Sequence, residues 1–272
     1  MKRSESIVHS EGWALPIKHG SGWHGQAGKI HSRAVATTER VAQQKNPALL
    51  SPLLTSLFPL GVVGAELRAT ADPALLFAGE APAQVAAVPK RIQEFAGGRL
   101  CARRALSEFG IVDYPLRINH DRRPHWPAPV IGSISHTAGL SGAVIARRSQ
   151  FRAVGLDIET VADVTPEIWP FICSPEDRAL LDSLSKPEQD RCAALIFSAK
   201  EAFYKCQYAV TQQWLEFDDV TLDICASDLD SGSFSLRARR SIALSQHATM
   251  PVFGRFTFHG NLIVTGIALG AR

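Results

Sequence analysis

From about residue 60 the spacing of apolar positions switches back and forth between period two, as in strands, and about 3.6, as in amphipathic helices. Residues 60–67 read as a first strand. Residues 90–109 read as a helix, because Phe95, Ala102, Leu106 and Phe109 fall on one stripe at about 100° per residue and Gly110 stands where a C′ glycine ends a helix. Gly97-Gly98 inside it weakens helix propensity and marks either a close approach or a break. Three short β-type runs follow at 130–134, 142–146 and 153–158. Ser174-Pro175-Glu176-Asp177 and Ser185-Lys186-Pro187-Glu188 each spell a capping box with proline in the first turn, so two helices are predicted, the second reaching about residue 208. The chain then returns to strands at 217–224, 233–238 and 252–269, the last a hairpin turning near Gly260-Asn261. The class is α+β. Two stretches share the order strand, helix, strand cluster, yet no residue-level repeat is visible, so duplication rests on pattern alone.

Residues 1–48 break from this pattern. They are rich in His, Ser, Gly and Gln without sustained period and read as a disordered extension. The N-terminus has no apolar core of a secretory signal, and no apolar run reaches the length of a bilayer span. A net charge of +3 is too small to imply nucleic acid, and it suits an anionic small molecule or an acidic protein partner. The five cysteines form no CxxC pair and no zinc spacing, which predicts reduced core thiols in a cytoplasmic protein.

Three segments carry candidate chemistry. In Val154-Gly155-Leu156-Asp157-Ile158-Glu159 strand alternation puts Asp157 and Glu159 on one face, where two like charges call for a cation; a solvated strand edge is the bland alternative. In Phe197 to Lys205 an apolar stripe of Cys192, Leu195, Ile196, Ala199, Phe203 and Cys206 leaves Glu201 and Lys205 on the opposite face, one turn apart. They are either a solvent-facing i,i+4 pair or a third carboxylate ligand and a phosphate-binding lysine, with Lys200 as a second such lysine. In Gly132-Ser133-Ile134-Ser135-His136-Thr137, Ser135 and His136 point to opposite faces and make a poor nucleophile–base pair. His136 suits a phosphate contact through a ring N–H. Arg99 and Arg103 flank the first helix's stripe, Arg104 points to solvent, and Asp121-Arg122-Arg123-Pro124-His125-Trp126-Pro127 is a proline-bracketed basic loop.

The joint order of these segments resembles the 4′-phosphopantetheinyl transferase superfamily, Sfp-type, in its enterobactin synthase component D-like branch. Gly98-Arg99-Leu100-Cys101-Ala102-Arg103-Arg104-Ala105-Leu106, Pro124-His125-Trp126-Pro127 with Gly132 to His136, Gly155 to Glu159, and Phe197 to Lys205 carry the resemblance, which spans residues 55–270. Thr137 stands where the branch often has cysteine. The resemblance implies a pseudo-two-fold fold of two similar α/β halves, 49–152 and 153–272, with the active site between them. It implies that Asp157, Glu159 and Glu201 hold magnesium (or manganese) against the pyrophosphate of coenzyme A. His136 would contact the 3′-phosphate, helped by Arg103, Arg122 and Arg123, with Arg99, Ser135, Lys200 and Lys205 nearby. The implied partner is an apo acyl or peptidyl carrier protein domain of siderophore, nonribosomal peptide or polyketide assembly. A monomer is expected, with no nucleic acid and no membrane. The residues by themselves leave two alternatives: a metal-dependent nuclease or other phosphohydrolase, and a non-catalytic module that binds carrier proteins or coenzyme A.

Overall fold

Two antiparallel sheets meet along their edges, and each carries one long helix on a face. The computed structural model describes residues 46–80, 89–137, 139–225, 229–244 and 251–271; all but the last few residues of the expected 1–48 extension lie outside them. The first sheet has the order β1 (Leu49–Leu50), β2 (Val62–Leu67), β4 (Leu140–Arg147), β3 (Val130–Thr137), with the short α1 (Pro52–Ser56) and the long α2 (Pro89–Ser107) packed on it. The second has the order β5 (Phe151–Thr160), β9 (Leu262–Gly270), β8 (Val252–His259), β7 (Ser231–Ala238), β6 (Val220–Cys225). On it lies α5 (Lys186–Thr211), preceded by α3 (Trp169–Ile172) and α4 (Pro175–Asp182).

The two sheets share a plan. In each, an opening strand leads to a helix, and the last strand of the returning meander pairs with that opening strand: β4 with β2, and β9 with β5. This is an α+β fold of two similarly connected halves.

The predicted elements form for the predicted reasons. Ser174 and Asp177 cap α4 reciprocally, Asp177 N–H on Ser174 Oγ at 3.2 Å and Ser174 N–H on Asp177 Oδ2 at 2.9 Å. The 252–269 hairpin turns at Gly260, φ +60°. One prediction shifts: residues 217–219 form a 3-10 turn before β6 begins at Val220.

The Gly97-Gly98 pair is a close approach, not a break. α2 runs through it unbroken, and a Cβ at Gly98 would lie 2.6 Å from Ile134 Cγ2 on β3. Gly155 plays the same part in the second half. A Cβ there would stand 2.0 Å from the carbonyl oxygen of Ala202, so α5 lies directly on β5.

The edges meet through hydroxyls. β3 and β5 end their sheets, and an uncovered edge strand exposes unpaired N–H groups. The N–H of Leu156 donates to Ser133 Oγ at 3.0 Å, and the N–H of Ile158 donates to Ser135 Oγ at 3.2 Å. Side chains of β3 thus satisfy two backbone N–H groups of β5.

The packing of α5 on β5 gives a sharp expectation. Gly155→Ala forces a backbone oxygen aside, so it destabilises the fold by about 3 kcal/mol. Urea unfolding followed by circular dichroism measures this; an unchanged midpoint would mean that α5 can shift freely on β5.

Candidate active site

Asp157 sits at the middle of β5 with its side chain fully buried. Its Oδ1 accepts from Lys205 Nζ at 2.8 Å and from Ser135 Oγ at 3.1 Å. Lys205 also reaches Ser135 Oγ at 3.2 Å. Three elements from both halves, β3, β5 and α5, therefore meet at one carboxylate oxygen. The other oxygen, Oδ2, is buried with no partner at good hydrogen-bond geometry, and the Ser198 hydroxyl is a polar group that favours its charged form. Burial pushes the Asp157 pKa up, the Lys205 charge pulls it back, and Glu201 adds to the rise.

Glu159 and Glu201 are also buried. Glu159 is held well above the usual carboxylate range, first by burial and then by the charge of Asp157, with Glu201 a further contributor. The three carboxylates thus feel one another through a low-dielectric interior. Among the described residues no three His, Cys, Asp or Glu side chains form a ready ligand group. The expected three-ligand set is coupled but not closed.

The α5 face opposite the apolar stripe is not solvated. Glu201 and Lys205 point into the space between the halves, where Arg123, Pro124, Gly132, Ser133, Tyr204 and Tyr208 line a pocket with them. Arg123 is fixed by Asp121 Oδ2 at 2.6 Å and lies over the Tyr208 ring at 5.3 Å. Arg122 occupies a left-handed position, φ 68°, at the exposed tip of the same loop.

His136 faces the other way from Ser135, as strand alternation requires. Its Nδ1 is 3.8 Å from Glu94 on α2. Burial, then the charges of Lys205 and Arg99, lowers its pKa to about 3, so the ring is neutral and carries a single N–H. Arg99 is buried beside it, its Nε donating to the Leu116 carbonyl at 3.1 Å and its guanidinium 4.0 Å from the Phe95 ring centre.

Two expected ligand-binding residues are committed elsewhere, and a third, Ser135, is at the site with its hydroxyl already engaged. Lys200 is buried beneath α5, its Nζ donating to Asp177 Oδ2 at 2.5 Å and to the carbonyls of Ile172 and Phe217, each at 2.8 Å. An ammonium has three protons, so all are used within the fold. Arg103 is bound to Glu80 Oε2 at 3.0 Å and to the Leu75 carbonyl at 3.1 Å. Ser135 is buried, with its hydroxyl committed to Asp157, Lys205 and the Ile158 N–H. In the sequence each looks polar and available, because its partners lie far away along the chain. Tyr204, Tyr208, Glu94 and Asp177 were not singled out as functional. Tyr204 and Tyr208 did carry a signal, since they share the α5 face of Glu201 and Lys205.

A sequence model of the 4′-phosphopantetheinyl transferase N-terminal domain matches residues 80–146, and one of the 4′-phosphopantetheinyl transferase superfamily matches residues 153–254. 4′-Phosphopantetheinyl transferase Svp of Streptomyces mobaraensis is 36% identical over 203 residues, covering 74% of this chain and 81% of that protein. The chain belongs to the 4′-phosphopantetheinyl transferase superfamily. A second member, 4′-phosphopantetheinyl transferase PptT of Mycobacterium tuberculosis, is 34% identical over 196 residues, 70% of this chain and 84% of that one. Enterobactin synthase component D of Salmonella typhi is 36% identical over 162 residues, 56% and 67% of the two chains. Membership in a transferase superfamily decides against the nuclease and the non-catalytic module. Within this transferase, the boundary between the two family matches falls between β4 and β5, where the first sheet ends and the second begins. Among the described residues no helix is long and apolar enough to cross a membrane.

The neutral His136 has a pH signature. The unfolded chain binds a proton on histidine below about pH 6.5, whereas the folded chain does so only near pH 3. Stability from this group is thus complete above pH 6.5 and is lost as the pH falls toward 3. Between pH 6.5 and 5 the protein should lose about 2 kcal/mol more than a His136→Gln variant. Denaturant unfolding of both proteins across that range tests it; parallel curves would mean that the ring is not held neutral.

Proposed function

We propose that this enzyme transfers the 4′-phosphopantetheine moiety of coenzyme A to a serine of an apo carrier protein and releases 3′,5′-ADP. The observation that carries the site assignment is Asp157: a buried carboxylate between the halves, with Oδ1 held by Lys205 and Ser135 and Oδ2 buried without a partner at good hydrogen-bond geometry. A buried anionic oxygen without a donor at good geometry suits a hard cation, and oxygen-only donors suit magnesium, or manganese in its place. Asp157, Glu159 and Glu201 are the residues that would hold it. Bound there, the ion would neutralise charge on the pyrophosphate.

The chain's own groups have distinct tasks. Glu201 accepts the proton of the attacking carrier serine, because it lines the pocket between the halves. Lys205, anchored on Asp157, places a positive charge beside the leaving 5′-phosphate of 3′,5′-ADP. The neutral His136 ring and buried Arg99 face the 3′-phosphate, and Arg123, with Arg122 at the tip of its loop, covers the opening. Phosphoryl transfer depends chiefly on positioning and charge neutralisation, which this arrangement supplies.

The carrier, an acyl or peptidyl carrier domain, approaches across the pocket. In the segment 169–172 Trp169 and Ile172 belong to the core, while Phe171 is 62% exposed and available to a partner. One chain supplies both sides of the pocket, which favours a monomer. The similarity to enterobactin synthase component D supports a siderophore or related carrier.

Intact-mass measurement of an apo carrier incubated with enzyme, coenzyme A and magnesium tests the reading. One phosphopantetheine should be added, EDTA should abolish the addition, and Glu201→Gln should slow it by about 10²–10⁴-fold. Full turnover by Glu201→Gln would remove that residue from both roles. An EDTA-insensitive gain would remove the metal.

A further inference from the structure

Glu80 and Asp177, one in each half, make the same set of contacts. Both carboxylates are essentially fully buried. One oxygen of each accepts a backbone N–H from the segment that follows the half's first layers, Leu116 at 2.9 Å and Leu222 at 3.0 Å. The other oxygen accepts the N–H three residues earlier, Phe77 at 2.7 Å and Ser174 at 2.9 Å. That same oxygen binds a cation on the long helix 23 residues later, Arg103 at 3.0 Å and Lys200 at 2.5 Å. Each cation also donates to a carbonyl 28 residues before it, Leu75 at 3.1 Å and Ile172 at 2.8 Å.

One constant shift in residue number therefore carries Leu75, Phe77, Glu80 and Arg103 onto Ile172, Ser174, Asp177 and Lys200. The residue types differ at every one of these positions, so no identity marks the repeat in the sequence. The hydrogen-bond roles are the same at every one.

We propose that these are two copies of one duplicated latch, and that each acts as a positioning device for the reacting groups of its own half. Lys200 precedes Glu201 on α5, and Lys205 follows within about a turn and a half. Anchoring the Lys200 ammonium on three acceptors fixes the rotation of α5 about its axis, which aims Glu201 and Lys205 between the halves toward Asp157. In the first half Arg99 lies one turn before Arg103 on α2. It donates to the carbonyl of Leu116, the residue whose N–H Glu80 holds. This latch sets the face of α2 that meets His136. A helix that rotated away from either latch would leave buried charged groups without partners, so each helix has one favoured setting.

The inference uses the transferase reading for its readout. Steady-state transfer to an apo carrier is measured for the wild type, Lys200→Met, Lys200→Arg, Arg103→Met and Arg103→Lys, with thermal melts to establish folding. Lys200→Met should lower kcat at least tenfold while the KM for coenzyme A stays within about twofold. Arg103→Met should raise that KM several-fold with a smaller effect on kcat. Lys200→Arg and Arg103→Lys, in which each half takes the other's cation, should recover most of what the Met variants lose. Folded Met variants with wild-type constants overturn the proposal, as do matching losses in kcat and KM for both halves. Should a Met variant fail to fold, the exchanged-cation variants carry the test: a loss there as deep as that of a fully inactive control overturns it. A wild type that transfers nothing to any carrier would sink the transferase reading, and the two outcomes are therefore distinct.

Discussion

The charge of Asp157 is the constraint on which the rest of the site depends. A carboxylate with no solvent contact must be paired or protonated, and here the pair comes from a helix of its own half and a hydroxyl of the other half. Removing one partner of such a pair typically costs about 3–5 kcal/mol, because the remaining charge stays buried. The pairing therefore ties β3, β5 and α5 together at one atom. It also explains why α5 is buried around most of its circumference over residues 192–203, although its sequence is amphipathic. Its polar stripe is the inner wall of the site.

Close approach of helix and sheet follows from the same demand. Lys205 reaches Asp157 only if α5 lies low on β5, and Gly155 makes that possible by presenting no Cβ to the Ala202 carbonyl. α2 settles on β3 by the same means at Gly98. The serine hydroxyls of β3 then close the seam between the two sheet edges. Glycines and serines that look like a ligand loop in the sequence are here first of all devices of assembly. The same Ser135 that joins the sheets also orients Asp157, so structure and chemistry share one hydroxyl.

Basic residues divide by partner. Lys200 and Arg103 are consumed inside their own halves, and burial lowers the pKa of both against the pull of Asp177 and Glu80. Lys205, Arg99 and Arg123 lie nearer the space between the halves. Cys101, Cys192 and Cys206 are buried free thiols, while Cys173 is half-buried and Cys225 exposed, so the core reading holds for most of them.

Much was legible in the sequence. Helix caps, the strand alternation at Asp157 and Glu159, and the motif order at Gly155–Glu159 and Phe197–Lys205 are local signals, because capping, alternation and helical period act over a few residues. They determined the α+β class, the element order and the identity of the acidic strand. Which lysine faces the pocket was decided only by tertiary structure. Lys200 and Lys205 sit in one motif, but their acceptors are 17 to 70 residues away along the chain. The repeat of the two latches was hidden for a related reason. A hydrogen-bond network constrains atoms and distances rather than residue names, so Glu–Arg and Asp–Lys satisfy it equally and only the folded chain makes the equivalence visible.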